Sequence, residues 1–287
     1  MLAVAASHLA HHTAATNPSR HRVAERALLS AALDRFRPAL VARPLTTERA
    51  DALLVTSIMI NNLAFAGLNG EDALDLNASW VFSRCADRLN WLGLQLGLKP
   101  LLAATAPFRE ASLLRPMYEA SDEAALVYAG DNAGDDTAED GVPSHWDRLA
   151  AALDAEMISM GSGGGGGGGD NTVEWIEEPH PAREAVRILA AIRRLPAAAH
   201  NVFLFVRLIA ALDPRFVGLL RAGSEGGHWI LGYWLRQMGR LDLWWSRPRS
   251  TRDGAAIRLF LARRRVTEWA GDDGVMWRWL MADYDAV

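Results

Sequence analysis

Apolar residues recur at three- and four-residue intervals along most of the chain, with proline and glycine breaks between the runs. Strand-like alternation flanked by turn dipeptides never becomes convincing. Together these observations predict an all-α protein, a single large multi-helix domain over residues 1–287 of roughly ten to thirteen helices, with room for an internal apolar pocket.

The 287 residues suffice for a sizeable core, and half of them are hydrophobic. A formal charge of -4 argues against a chain built to coat nucleic acid. Arginine supplies the positive charge almost alone, Lys99 being the sole lysine. Cys85 is the only cysteine, which excludes an internal disulfide and a cysteine-based zinc site and fits a reducing compartment. No run of about twenty apolar residues is present to span a membrane. The most apolar stretch, Val202 to Leu212, is short and carries Arg207.

The first residues, MLAVAASHLAHH, lack a basic n-region and read as a helix over Leu2 to Ala15 rather than a signal peptide. That helix looks cut by the start of the chain, so a longer parent protein is expected. After Asn17-Pro18-Ser19 a long helix reaches about Ala42, with Pro38 as a possible kink. Thr46-Thr47-Glu48 opens a third, ended near Ala66 by Gly67, Asn69 and Gly70. Asn77 to Pro100 is intensely apolar, and Gly93 and Gly97, four apart on an expected helix, permit close approach. The pattern weakens from Glu119 to Pro143, and Asp131 to Gly141 reads as an exposed loop. Trp146 to Met160 is a helix with Trp146, Leu149, Leu153 and Met157 in register. The run Gly161 to Gly169, with one serine in it, is a flexible linker, natural or introduced.

Pro181 suits the first turn of a helix that Pro196 ends. Ala199 to Leu212, Asp213 to Leu220, and a segment from Ser250 or Thr251 follow as helices, and a tryptophan-rich tail closes the chain. Between them Gly227 to Trp245 carries four of the eleven tryptophans. Read as one helix, it lines up Ile230, Trp234, Met238, Leu241 and Trp245 on one face, with Ser224 as its cap. Gly232 and Gly239 fall nearly over one another. Such a helix serves as a core element, its glycines admitting a neighbour, or as the wall of a cavity for a flat apolar ligand.

Few residues offer chemistry. His8, His11 and His12 have metal-like spacing, with His21 or Glu25 as a possible third ligand, yet a polar end to a helix accounts for them more simply. Asp135-Asp136-Thr137-Ala138-Glu139 matches the DDxxE pattern that holds magnesium against a diphosphate in all-α terpenoid-type synthases. It lies in apparent loop, and no second metal motif accompanies it. The glycine run lacks the Gly-Lys-Ser/Thr of a phosphate loop, no GxSxG elbow occurs, and Cys85 reads as a small, partly buried residue. Arg263-Arg264-Arg265 reads as a helix end complementing the helix dipole. No catalytic constellation and no metal site emerge, so binding or regulation is expected rather than catalysis.

Several stretches resemble the C-terminal regulatory domain of fungal zinc binuclear cluster transcription factors of the sterol uptake control type. They are LAVAASHLA at the start, His21-Arg22 with Ala27-Leu28, and Ala50 to Leu53 leading to Asn61-Asn62-Leu63-Ala64-Phe65. Ser79 to Phe82 and Trp91 to Leu101 follow, and then Tyr233-Trp234-Leu235, Arg240-Leu241 and Trp244-Trp245. The six-cysteine DNA-binding module of that family is absent, and the resemblance places it upstream of Met1. The residues before the aromatic helix, Ser224 to His228, also depart from the family pattern.

The resemblance implies a homodimeric sensor without a cofactor, moving between cytoplasm and nucleus, with ergosterol or a related sterol as regulatory ligand. DNA would be reached only through the missing module. The expected ligand-binding residues are His228, Trp229, Ile230, Tyr233, Trp234 and Met238, faced by Phe203, Phe205 and Ile209, with Tyr233 or His228 meeting the sterol hydroxyl. Gly223 to Gly227 is then the expected hinge or lip of the pocket. The competing readings are a ligand-free dimerisation module controlling a metabolite gene cluster and, more remotely, a terpenoid-type enzyme.

Overall fold

The computed structural model describes residues 1–13, 18–67, 75–116, 118–119, 142–161 and 181–287. The described residues contain no strand, and their α-helices pack as one all-α arrangement. The DDxxE motif and the glycine run Gly163 to Gly169 lie outside the described residues.

The chain begins with α1 (Leu2–His12), α2 (Pro18–Val41) and α3 (Thr47–Ala66). Helices α1 and α2 form a hairpin, and both touch α3. Small residues at helical spacing, Ala3, Ala6, Ser7 and Ala10, form the buried face of α1. Helix α2 runs through Pro38 without interruption. Thr46 caps α3, its side chain accepting from the Arg49 amide, where the Thr-Thr-Glu signal placed the start. Helix α3 belongs to two environments. Its first half, with Ala50, Leu53 and Leu54, packs beside the hairpin, and its end delivers Phe65 into the main core.

After α3, helix forms around Gly93 as expected, but in short pieces preceded by turns. Two 3-10 turns, Leu76–Ala78 and Ala86–Leu89, precede the short α4 (Asn90–Leu96) and α5 (Leu98–Thr105). The cause is tertiary. The buried Ser79 hydroxyl donates to Asp253 at 2.8 Å, and Trp80 is buried from a turn rather than from a helix face.

The main bundle contains α6 (Ser144–Gly161), α7 (Pro181–Arg194), α8 (Val202–Ala211), α9 (Arg215–Ala222), α10 (Glu225–Gly239), α11 (Arg247–Arg263) and α12 (Gly271–Asp285). Helix α10 is central. It lies closest to α11 and also touches α6, α7, α8 and α9. Its junction with α9 follows from local sequence. Gly223 takes the left-handed conformation, φ 82°, that a helix C-terminus favours. The Gly223 and Ser224 amides donate to the Leu220 and Leu219 carbonyls, a Schellman ending. Ser224 then caps α10, its hydroxyl accepting from the Gly227 amide and donating to Glu156 at 2.8 Å.

Candidate functional site

Helix α10 is buried on every side. Twelve of its fifteen residues, from Gly226 to Met238, are buried. A helix enclosed all round is a core element. The Trp229 indole donates to the Leu280 carbonyl at 2.9 Å, and the Trp234 indole to the Phe205 carbonyl at 2.7 Å. Trp146 meets Trp229 and Tyr233 edge-on, with centroids 5.1 and 5.0 Å apart. Ile230 and Met238 are also fully enclosed. Gly232 admits its neighbours so closely that a Cβ there would lie 2.5 Å from the Tyr284 hydroxyl and 2.7 Å from Ile257. The channel between Gly232 and Gly239 is therefore filled by α11 and α12.

The helix ends at Gly239. Leu241 and Trp245 of the expected stripe fall beyond it, and a positive-φ Asp242 stands between them. Gly226 and Gly227 lie in the first turn of α10 against Leu149, Leu153 and Leu219, so the expected lip is a packed joint between helices.

His228 is enclosed as well. Its ring lies between Trp80 and Phe260, with centroids 5.3 and 4.3 Å away and planes within 25° of parallel. Its Nδ1 lies 2.7 Å from the Ser224 carbonyl, which fixes the Nδ1–H tautomer. Burial drives its pKa down to about 4, so the ring is neutral at pH 7. Burial also pushes the Tyr233 pKa up, which keeps its hydroxyl protonated.

An open groove lies elsewhere, with a volume of about 310 Å³. Helix α3 contributes Ile58, Asn61 and Asn62, α4 contributes Gln95, and α5 contributes Leu98 and Leu102. Phe203, Val206 and Ile209 of α8 close another side, and Leu243 and Trp245 come from the turn after α10. Of the residues expected to bind ligand, Phe203 and Ile209 line this groove. Phe205 turns away from it and is wholly buried. His228, Trp229, Ile230, Tyr233, Trp234 and Met238 are buried in the core and do not line it.

The groove has a polar element within its apolar wall. The Gln95 amide donates to the Asn61 backbone carbonyl at 2.9 Å. Asn61 is only 4% exposed, and its Nδ2 donor has no partner among the described residues. A buried donor left unpaired costs roughly 1–3 kcal/mol, so a group that accepts from it gains correspondingly. Arg207 and Tyr118 bring further polarity to the wall.

Aromatic rings join the groove to the core. Phe65 meets Trp245, Trp91 and Trp234 edge-on at centroid separations of 5.7, 5.3 and 5.8 Å. The Arg249 guanidinium lies 4.6 Å from the Trp91 ring centre and donates to the Phe65 carbonyl at 2.8 Å. Asp253, fully buried, accepts from Arg249, Arg252 and Ser79. Desolvation lowers the Arg249 pKa to about 10, which leaves it charged at neutral pH. This network fixes the end of α3, which carries Asn61, against α11.

The remaining candidates are structural or peripheral. Cys85 is exposed rather than partly buried. Arg263 stacks on Phe82, Arg264 pairs with Glu225, and Arg265 pairs with Glu268, so the basic run is spent on packing and ion pairs. No group of three metal-ligating side chains occurs among the described residues. Sequence reasoning did not single out Asn61, Gln95 and Leu243 as lining one groove. The available signal was the polar pair Asn61-Asn62 inside the otherwise apolar run IMINNLAFA. The chain matches no family model, no curated protein and no solved structure at a significant level.

Proposed function

We propose that this chain is the ligand-sensing regulatory domain of a transcription activator, and that the groove between α3, α4, α5 and α8 takes a sterol such as ergosterol. The unpaired, buried Asn61 donor in an apolar wall carries this reading. A sterol is rigid, flat and apolar, with a single hydroxyl. Its rings suit Leu98, Leu102, Phe203 and Val206, and a turn of the Asn61 side chain toward the groove brings Nδ2 to its hydroxyl oxygen. At about 310 Å³ the groove is at the small end of ligand pockets, roughly 300–1,000 Å³. It opens to the surface, so the ligand lies along it with one edge exposed. The resemblance in sequence supports the same assignment.

Sterol acts by population shift. It binds the inactive form more tightly and holds the activator in the cytoplasm, and its loss frees the protein to enter the nucleus. The domain works as a homodimer, DNA being reached through a separate zinc-cluster module. Helix α2, with Val23 and Val41 exposed at 67% and 76%, offers the surface for the second copy.

Thermal unfolding with ergosterol tests the assignment. Ligand at a hundredfold excess over its Kd adds about 2.7 kcal/mol of stability, and the melting temperature rises. Asn61→Leu lowers affinity by about tenfold through the lost hydrogen bond. Val206→Trp fills the groove and abolishes binding while the core folds. A folded domain whose melting temperature ergosterol leaves unchanged ends the sterol reading. Light scattering checks the assembly, and a monomeric mass at all concentrations removes the homodimer.

A further inference from the structure

His8 and His12 stand one turn apart on the outer face of α1, both exposed. The buried face of that helix, with Ala3, Ala6 and Ala10, fixes which way they look. Their Nε2 atoms are 2.9 Å apart, and the rings meet edge-on with centroids 4.4 Å apart. Trp244 packs against His8 at 5.1 Å and against His11 at 6.2 Å, which restricts the rings on the side facing the bundle. The spacing in sequence requires only a polar helix end, but the nitrogen separation adds a geometric fact.

Imidazole nitrogens bind first-row divalent ions at about 2.0–2.1 Å. Two such nitrogens at a right angle about one ion are then about 2.9 Å apart, whereas the tetrahedral angle of zinc separates them by about 3.4 Å. The first figure is the separation found between His8 and His12. We propose that His8 and His12 form a bidentate site for a tetragonal divalent ion of the copper or nickel type, with water at the remaining positions.

Binding needs a change of tautomer and no redox step. In the free pair one Nε2–H donates to the other ring's lone pair. That proton leaves to solvent while Nδ1 of the same ring takes one up, so both rings stay neutral and no net proton is released. A small rotation of the rings then turns both lone pairs off the line between the nitrogens and onto the ion, which loses two waters. His11 faces Trp244 and His12 and takes no part in coordination.

The test is a calorimetric titration of the whole chain with copper(II) chloride, and separately with zinc chloride, at about pH 7.5, where free imidazole is neutral. The expected result is one copper ion per chain and weaker zinc. His8→Ala and His12→Ala each weaken copper binding by about tenfold, because a chelate becomes a single imidazole. His11→Ala and His200→Ala leave it unchanged. Both proposed ligands are exposed on an alanine-rich helix, so the variants fold, and circular dichroism confirms it. Absence of copper binding overturns the proposal. Copper binding that survives both His8→Ala and His12→Ala overturns it equally.

Discussion

The ring of His228, held between Trp80 and Phe260, is neutral because charging it would strand a cation among apolar side chains. Its pKa falls from 6.5 in the unfolded chain to about 4 in the fold. A depressed histidine stabilises the fold fully above the unfolded value. The contribution is lost as pH drops from 6.5 toward 4, where the unfolded state binds the proton first. The whole shift corresponds to about 3 kcal/mol. Urea unfolding midpoints across that window are expected to fall with pH, and His228→Phe, which keeps the stack and loses the titration, is expected to flatten the slope. An unchanged slope in the variant would assign the acid sensitivity to other groups. At this scale the sequence reveals the residue and not its partners. An aromatic helix beginning Gly-His-Trp invites a polar contact for a ligand, and nothing local reveals that Trp80, far away in the chain, covers one face of the imidazole.

Helices with strong end signals were legible. Thr46 caps α3, Ser224 caps α10, and Pro181 opens α7, each through chemistry contained within four residues. Two elements were not. The apolar stretch from Asn77 breaks into short turns because Ser79 is drawn to Asp253, a partner 174 positions away. The apolar period of α10 continues past Gly239 although the helix does not, because Asp242, at φ 48°, leaves the helical path. The groove was legible only in fragments. It draws on α3, α4, α5, α8 and the turn at Leu243, and no periodicity joins residues so far apart. Helix α11 ties these pieces together from behind through Asp253, which is enclosed with Arg249 and Arg252 at its oxygens. Removing one partner of a buried ion cluster costs roughly 3–5 kcal/mol, since the other charges stay buried and uncompensated. Asp253→Ala is therefore expected to lower the unfolding free energy by about that amount, measured in urea. A loss below about 1 kcal/mol would mean that the two arginines find water instead.

Taken whole, the molecule has a thin layer and a thick one. The α1–α2 hairpin buries mostly alanine, and α2 keeps much of its length in contact with water. The bundle around α10, by contrast, encloses tryptophan, tyrosine and phenylalanine on all sides. The sequence conveyed the all-α class because helical periodicity is local, but it could not convey this inequality, which depends on what lies across each helix. The inequality sets a clock for the exchange of backbone hydrogens with solvent. Amides of α2 are released by local opening of the hairpin. Those of α10 from Trp229 to Met238 have no such route, since Gly232 is pinned by Ile257 and Tyr284 and any slip of the helix meets them. Deuterium therefore reaches the centre of α10 only when the whole bundle comes apart, and its uptake there reports the global stability of the protein.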